Sequence, residues 1–243
     1  MITATDTSTS DVLISIVVPV YNEEATLEHI ISRLQDVPLR TEIIISDDGS
    51  TDASRDIARR LEGGNVKIVL AEQNRGKGSA VRQGIAVSTG DILLIQDADL
   101  EYDPEDIPAL VDPILRGAAD VVFGTRFKGG QPQRVHLFWH SVGNRGLTLF
   151  TNILFNSTLS DMEVGYKAFK GDLIRSFDFQ SNDFRIEPEM TAAVLTLPKT
   201  RVYEIPIRYF GRSYDEGKKI TWRDGFGAVQ ALVKYRMSPP RPR

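Results

Sequence analysis

The sequence has 243 residues, of which 41% are hydrophobic and 26% charged, as in an ordinary globular protein. It contains no cysteine, which excludes disulfides, thiolate metal sites, iron–sulfur clusters and a cysteine nucleophile. The formal net charge of -4 is unevenly distributed, because residues 200–243 carry ten Lys or Arg against four Asp or Glu. A basic end indicates an anionic partner, although a solvated charged surface accounts for the charge equally well.

The two ends of the chain are predicted to be disordered. Residues 1–11 are rich in Thr, Ser and Asp and lack the basic start and apolar run of a signal peptide, so they form a predicted leader. Residues 238–243 are rich in Pro and Arg and form a predicted basic tail. We therefore expect one domain over residues 12–237. No run of about 18 apolar residues occurs, which favours a cytoplasmic protein.

The first half of the domain alternates short apolar runs with helical patterns, which is typical of successive β-α units. The predicted strands span residues 13–20, 42–46, 66–70, 91–96 and 120–124. The predicted helices span residues 24–34, 53–61, 77–87 and 104–115. The pattern predicts a single α/β domain with a Rossmann-like, mostly parallel central sheet flanked by helices.

Polar clusters directly follow four of the predicted strands, over residues 19–24, 47–52, 72–78 and 97–101. In an open α/β sheet a ligand binds at the carboxyl ends of the strands. Carboxylates that converge there are costly unless they bind cations or hydrogen-bond donors. The glycine patterns of Walker loops and of dinucleotide-binding folds are absent, which disfavours a P-loop enzyme or a dehydrogenase.

Two carboxylate groupings carry the chemical interpretation. Asp97 and Asp99 end an apolar strand on the same side of the pleat, and with Glu101 they offer an all-oxygen site for Mg2+ or Mn2+. An isolated Asp-x-Asp is more often a helix cap, but its place beside other acidic loops favours a ligand site. Asp47 and Asp48 are not needed to cap the next helix, so one of them is available to a nucleobase or ribose.

The motifs Val18-Pro-Val-Tyr-Asn-Glu23, Asp47-Asp-Gly-Ser-Thr-Asp52, Asn74-Arg-Gly-Lys-Gly78 and Asp97-Ala-Asp99 resemble the ordered set of inverting family 2 glycosyltransferases with a GT-A fold. More narrowly, Gly124-Thr-Arg-Phe127 and Arg212 with Lys218 resemble the polyprenyl-phosphate glycosyltransferases related to dolichol-phosphate mannose synthase. The resemblance covers residues 13 to about 237.

The resemblance implies roles for individual residues. The nucleotide-sugar pocket would contain Pro19, Tyr21, Glu23, Asp47 or Asp48, and Lys77. The catalytic metal would be held by Asp97, Asp99 and Glu101, with Asp97 also able to reach the donor ribose; many family members have Gln in place of Glu101. The diphosphate would be held by Arg126, Arg212 and Lys218. Fixed cations at that place stabilise the charge that develops on the leaving nucleoside diphosphate.

The acceptor decides whether a base is needed. A lipid phosphate is largely dianionic at neutral pH, because its second pKa is about 6, and needs none. A sugar hydroxyl needs one, and Asp161 is the best candidate because it matches the family's loop beside the acceptor channel; a turn or cap role is equally compatible with it. By a looser match, Arg134 and Ser141 would meet a lipid phosphate.

Two amphipathic segments remain. Within residues 136–156, Leu147, Phe150 and Leu154 share one helical face. This face predicts either packing against the sheet or docking at a membrane interface, and the resemblance favours membrane docking. Residues 221–237 predict a further helix, and residues 187–189 predict a helix start.

The leading hypothesis is therefore a metal-dependent, inverting transferase. It would move a hexose-type sugar from a GDP- or UDP-linked donor to a polyprenyl phosphate, at the cytoplasmic membrane face, through peripheral contact or a membrane-anchored partner. One alternative is a transferase with a soluble or glycan hydroxyl acceptor and Asp161 as base. Another is a non-catalytic nucleotide-sugar-binding protein. Nothing in the sequence indicates a nucleic-acid partner.

Overall fold

The computed structural model describes residues 11–130, 134, 138–212 and 222–243, which form one α/β domain. Its strands are β1 Ile14–Val20, β2 Thr41–Asp47, β3 Val66–Leu70, β4 Ile92–Ile95, β5 Val121–Thr125, β6 Lys167–Lys170 and β7 Val202–Pro206. Its helices are α1 Leu27–Gln35, α2 Ser54–Leu61, α3 Lys77–Val87, α4 Ile107–Leu115, α5 Phe138–Phe155, α6 Gly171–Ser176, α7 Ile186–Thr196 and α8 Trp222–Met237.

The seven strands form one sheet in the order β3-β2-β1-β4-β6-β5-β7. Every neighbouring pair is parallel except those that involve β6. The central strands β1 and β4 are almost wholly apolar and buried, as strands covered on both faces by helices must be. The predicted fold class is therefore confirmed.

Strand β6 runs against its two neighbours and was not predicted, because four residues with a lysine at each end give no clear apolar period. It pairs Ala168 with Leu94 of β4, and Lys167 with Phe123 of β5. Its first residue thus lies at the carboxyl ends of both neighbours. The loop before β6 is thereby delivered to the edge where the polar clusters lie.

The strand order reverses at β1, which has β2 on one side and β4 on the other. Such a reversal opens a crevice beyond the carboxyl ends of the two central strands. The polar loop after β1 and the Asp97 loop after β4 border this crevice. The topology therefore brings together two of the motifs that the sequence singled out.

Helix α5 packs on other helices, so the predicted packing against the sheet is corrected. Leu147, Phe150 and Leu154 contact a small core that includes Leu232 and Tyr235 of α8. Packing on a neighbouring helix leaves the opposite side of α5 uncovered, and its exposed apolar residues are Phe138, Trp139, Val142, Leu149 and Ile153. No helix in the described part of the chain is both long and apolar enough to cross a bilayer.

The chain ends differ in what the structure describes. The predicted leader lies outside the described residues apart from Asp11, whose carbonyl accepts a hydrogen bond from Arg40. The tail lies against the end of α6, where the Arg243 amide donates to Ser176 and its guanidinium pairs with Asp178 at 2.8 Å. These contacts give the tail a defined partner, which the expectation of a disordered tail did not include.

At the amino ends of the strands, on the side of the sheet away from the crevice, Glu42 of β2 contacts the starts of β1 and β3 and the residues before β4. Its carboxylate accepts from Ser15, from Thr89 and Gly90, and from the Lys67 ammonium at 2.6 Å. Although burial opposes the charge, these donors lower the pKa of Glu42 from 4.5 to about 2. The buried carboxylate therefore stabilises the fold when it is ionised.

We expect Glu42→Gln to lower the free energy of unfolding by about 2–3 kcal/mol at pH 7, in proportion to the pKa shift. Because the pKa is lowered on folding, this contribution is present above about pH 4.5 and is lost as the pH falls toward about 2. Urea denaturation should show the difference from wild type narrowing between about pH 5 and about pH 3. Glu62→Gln, at an exposed position, is the control. A stability difference between wild type and Glu42→Gln that stays constant with pH would contradict the stabilising role of the ionised Glu42.

Candidate active site

A cavity of about 610 Å³ lies beyond the carboxyl ends of β1, β4 and β5. This volume suits a ligand of small-molecule size. The following predicted site residues line it: Pro19, Tyr21, Glu23, Asp48, Lys77, Asp97, Asp99, Glu101, Arg126, Ser141 and Arg212. The topology thus brings most of the sequence-predicted residues to one place.

Of the aspartate pair after β2, only Asp48 lines the cavity. Its carboxylate accepts from the amides of Arg75 and Gly76 at 3.0 and 2.6 Å, while burial raises its pKa. Asp47 is buried and instead holds the turn by accepting from the amides of Gly49 and Ser50. The structure therefore separates the two predicted alternatives, with Asp48 at the cavity wall.

The loop after β4 carries three carboxylates whose surroundings differ. Asp97 pairs with Lys77 at 2.7 Å. Glu101 accepts from the Tyr209 hydroxyl at 2.7 Å and from the Arg212 amide at 2.6 Å. Between them, burial and then the charges of Asp97 and Glu101 raise the pKa of Asp99 to about 7. Asp99 is thus a carboxylate held among other carboxylates.

Within the described residues, no group of three or more Asp, Glu or His side chains is arranged to hold a metal ion. The predicted Asp97, Asp99 and Glu101 set is therefore not assembled as a ligand cluster. The physical reason is that Lys77 draws Asp97 to one side, while Tyr209 and Arg212 occupy Glu101.

A buried charge network extends from Asp97 into the domain. Lys77 lies between Asp97 and Glu187, and Glu187 also pairs with Lys167 at 2.5 Å. Although burial opposes the charge, these two carboxylates raise the pKa of Lys77. Burial likewise opposes the ionised form of Glu187, and the two lysines nevertheless lower its pKa. Lys77 is thus held in place at the first turn of α3.

Arg126 follows β5 and is fixed by Asp161. The guanidinium donates to both oxygens of that carboxylate at 2.7 Å, and the Arg126 amide donates to it as well. Burial opposes the charge, but Asp161 raises the pKa of Arg126 further above its ordinary value. The centre of the Tyr209 ring lies 5.0 Å from the guanidinium carbon of Arg126. Asp161 is fully buried behind Arg126, which differs from its predicted place beside an acceptor channel.

The other predicted cations have separate outcomes. Arg212 lines the cavity and contacts Glu23 at 3.2 Å. Lys218 lies outside the described residues. Arg134 does not line the cavity and donates to the Gly211 carbonyl, whereas its predicted companion Ser141 does line it.

Some cavity residues were not singled out as ligand-binding candidates from the sequence, among them Glu163, Glu187 and Tyr209. Glu187 was interpreted through the predicted helix start at residues 187–189, and α7 does begin at Ile186. The helix start is confirmed, but the carboxylate binds two lysines. Glu163 gave a usable signal, because it is a second carboxylate within the loop that contains Asp161.

The chain is similar in sequence and fold to known glycosyltransferases. A family model described as Glycosyl transferase family 2 matches residues 15–175. A UDP-N-acetylglucosamine–dolichyl-phosphate N-acetylglucosaminyltransferase of Methanococcus voltae is 28% identical over 94% of this chain and 98% of its own length. A dolichol-phosphate mannosyltransferase of Pyrococcus furiosus is 28% identical over 84% of this chain, which spans only 58% of that protein.

An undecaprenyl-phosphate mannosyltransferase of Micrococcus luteus is 29% identical over 83% of this chain and 85% of its own length. Among solved structures, glucosyl-3-phosphoglycerate synthase of Mycobacterium tuberculosis, in complex with Mn2+, UDP and phosphoglyceric acid, superposes with a TM-score of 0.73. That match covers 96% of this chain and 81% of the other at 23% identity. It confirms the expected GT-A fold.

Proposed function

Because the chain belongs to glycosyl transferase family 2, we propose that this glycosyltransferase moves a hexose-type sugar from a nucleoside diphosphate to a polyprenyl phosphate with inversion at the anomeric carbon. The observation that carries the proposal is the cavity at the switch point, where carboxylates after β4 meet Arg126 and Arg212. Carboxylates with arginines around one cavity suit a diphosphate whose charge a divalent cation shares. Relatives named for dolichyl- or undecaprenyl-phosphate support the acceptor class.

The carboxylates after β4 fit a divalent cation by the chemistry of their donors, although they are not arranged around one, and we propose Mg2+ or Mn2+. Their donors are all oxygens, which these hard ions prefer. The raised pKa of Asp99 reflects burial and two neighbouring carboxylates, a balance that a bound cation would reverse. We propose that Asp99 and Asp97 would hold the ion, with Glu101 beside them. When bound, it would supply positive charge to the diphosphate. The Mycobacterium tuberculosis neighbour with Mn2+ and UDP supports this proposal.

The chain's own residues would bind and orient the donor. Asp48 would accept hydrogen bonds from the base, guanine or uracil, near the ring of Tyr21. As the bond from the anomeric carbon to the diphosphate breaks, negative charge grows on the leaving group, and Arg212 would stabilise it. Arg126 is held by Asp161, so its guanidinium reaches the transition state without reorganisation.

Inversion follows from a single displacement. An oxygen of the acceptor phosphate would attack the anomeric carbon on the face opposite the diphosphate. This oxygen is already anionic at neutral pH, so no proton has to be removed. The buried pairing of Asp161 with Arg126 agrees with a reaction that needs no base from Asp161.

A hydroxyl acceptor is the second candidate, and the structure changes how it is tested. Removing Asp161 would leave Arg126 buried without its anionic partner, so activity should fall with either acceptor. Loss of activity in an Asp161 variant therefore does not identify a base. A non-catalytic nucleotide-sugar-binding protein is disfavoured by family membership and by the glycosyltransferase names of the relatives.

The deciding experiment offers the full-length protein undecaprenyl phosphate or dolichyl phosphate in detergent with Mn2+. Labelled UDP-glucose, UDP-N-acetylglucosamine and GDP-mannose are the donors, and lipid-linked label is the measurement. We expect one donor to give a lipid-linked product whose sugar has the opposite anomeric configuration. Label that appears only on a glycan or soluble hydroxyl would favour the second candidate.

We further propose that the exposed apolar side of α5 contacts the bilayer that holds the acceptor, at the cytoplasmic face. Trp139 and Ile153 are 77% and 74% exposed, and Phe226 of α8 is also exposed. Such side chains suit the boundary between headgroups and acyl chains. The excess of Lys and Arg after residue 200 suits contact with anionic lipid. A membrane-anchored partner protein would be another way to hold the enzyme at the bilayer.

We expect Leu149→Glu with Ile153→Glu, neither of which lines the cavity, to weaken binding to anionic vesicles by at least about tenfold, because each apolar side chain contributes about 1.5–3 kcal/mol on burial. Vesicle sedimentation measures the binding. Turnover of a short-chain polyprenyl phosphate in detergent should fall much less. Val87→Glu, at an exposed apolar position on α3, is the matched control. Equal vesicle binding by wild type and the double variant would contradict the surface.

A further inference from the structure

Glu163 lies in the cavity wall and has no role in the mechanism above. It belongs to the loop between α5 and β6, and its Oε1 atom is buried without a hydrogen-bond partner among the described residues. A buried acceptor without a donor is costly, so most native structures avoid it. The exception indicates that a ligand supplies the donor.

The charged groups near Glu163 are already paired with one another. Asp161 takes two hydrogen bonds from the Arg126 guanidinium. Lys167 donates to Glu187 and to the Val164 carbonyl. Side-chain rearrangement toward Glu163 would break these contacts. A ligand in the cavity is therefore the better source of a donor for Oε1.

The position of the loop indicates which part of a donor Glu163 would meet. A Cβ atom on Gly165 would lie 2.7 Å from Oδ2 of Asp97 and 3.3 Å from Nζ of Lys77. The loop therefore packs directly on Asp97, and Glu163 lies two residues before Gly165 in it. The base is proposed beside Asp48 after β2, and the sheet order puts the loop before β6 on the other side of Asp97. With the diphosphate beside Asp97, the group that meets this loop is therefore the sugar ring and not the ribose.

A second acceptor lies in the same wall. Asn144 of α5 lines the cavity, and its Oδ1 is also buried without a hydrogen-bond partner in the described part of the chain. Its Nδ2 faces Asp161 at 3.4 Å, which fixes the amide with its oxygen turned away from that carboxylate. Two such acceptors match a ligand with several hydroxyl donors.

The chemistry of Glu163 also favours a neutral donor group. Burial, partly offset by Lys167, raises the pKa of Glu163 to about 7. A carboxyl group of this kind can accept from a hydroxyl in its ionised form and can also donate in its neutral form. An ionised phosphate offers acceptors and would leave Oε1 unsatisfied.

We propose that Glu163 is a specificity-determining residue, whose Oε1 accepts a hydrogen bond from a ring hydroxyl of the donor sugar. The inference rests on the proposed use of a nucleotide-sugar donor. A pocket that hydrogen-bonds a hydroxyl rejects sugars that lack it or hold it in another configuration, because the buried oxygen is then left unpaired.

The test measures binding by calorimetry with Mn2+ present, in the wild type, Glu163→Met and Glu163→Gln. The probes are UDP and GDP, then UDP-glucose, UDP-N-acetylglucosamine and GDP-mannose, and finally monodeoxy analogues of the tightest of these sugars. Glu163→Met keeps the approximate length of the side chain but removes both oxygens, and Glu163→Gln keeps an acceptor. Exposed Glu28→Gln is the matched control.

We expect Glu163→Met to bind the nucleotide alone like wild type but the nucleotide sugar about tenfold more weakly, as one buried hydrogen bond warrants. One monodeoxy analogue should bind wild type about tenfold more weakly than the parent nucleotide sugar does. Glu163→Met should bind that analogue and the parent nucleotide sugar with equal affinity. Glu163→Gln should recover most of the discrimination. Because Glu163→Met removes an unsatisfied oxygen, its melting temperature should equal or exceed that of wild type.

Three outcomes would overturn the inference. If wild type binds a nucleotide sugar and Glu163→Met binds it equally well, the proposed function survives and the role of Glu163 fails. If Glu163→Met loses nucleotide and nucleotide sugar alike, with a lowered melting temperature, Glu163 is structural. If wild type gains no affinity from any sugar and transfers none, the proposed function fails and the inference fails with it.

Discussion

Replacing Asp99 with asparagine is expected to abolish sugar transfer while the fold survives. The amide side chain would keep the shape of the carboxylate, and its oxygen could still accept from the Glu101 amide as Oδ1 of Asp99 does at 3.0 Å. The variant loses the negative charge that is proposed to hold the divalent cation. We expect kcat to fall by about a thousandfold, since removal of a single group that stabilises transition-state charge costs up to about this much.

The same variant should be at least as stable as wild type in metal-free buffer. The pKa of Asp99 is raised by folding, so ionisation of this carboxyl above its ordinary range lowers the stability of the native state. Asparagine does not ionise and avoids that cost. Thermal unfolding at about pH 7.5 measures the difference in stability between the variant and wild type. Addition of Mn2+ with nucleotide should stabilise wild type more than the variant. Fully exposed Asp172→Asn is the control. Normal turnover by Asp99→Asn would refute the assignment.

Replacing Arg212 with alanine is expected to have the second largest effect. Its guanidinium contacts Glu23 at 3.2 Å, its amide donates to Glu101, and its side chain is only 18% exposed. It is thus held at the cavity wall beside the carboxylates. We expect kcat to fall about a hundredfold or more, because a fixed cation no longer meets the charge on the leaving diphosphate.

The companion variant Arg212→Lys should recover part of the rate. Lysine restores the charge but not the planar pair of donors, so about a tenfold defect should remain. Steady-state kinetics with varied donor separates a fall in kcat from weaker donor binding. Arg60→Ala, on the exposed side of α2, is the matched control. If Arg212→Ala turned over like wild type, the proposed diphosphate position would be wrong.

The fold could be predicted from the sequence where burial is simple. Strands β1 and β4 are covered on both faces, so nearly all of their side chains are apolar and the pattern is unambiguous. Strand β7 was not predicted, because it lies at the sheet edge and mixes exposed and half-buried positions over five residues. Short strands of this kind take their position from their partners, which a local pattern does not contain.

The candidate site was predictable where the strand end itself positions the residue. Asp97 and Asp99 lie just after the end of β4, so predicting that strand also predicted where the two carboxylates lie. The choice between Asp47 and Asp48 depends on the residue at which β2 stops, because successive side chains point to opposite sides. The pairing of Arg126 with Asp161 joins residues 35 apart in the chain, and only the assembled fold reveals that Asp161 serves the arginine.

The hydrogen bonds from Tyr209 and Arg212 to Glu101 have a consequence for the order of folding. They join residues 108 and 111 apart along the chain, whereas β1, β2 and β3 pair with near neighbours in sequence. Contacts between distant segments carry the larger loop-closure entropy and tend to form late. A refolding chain would therefore pair β1, β2 and β3 before Arg212 reaches the cavity. Recovery of donor binding should lag behind recovery of the sheet, as the last step that makes the protein an enzyme.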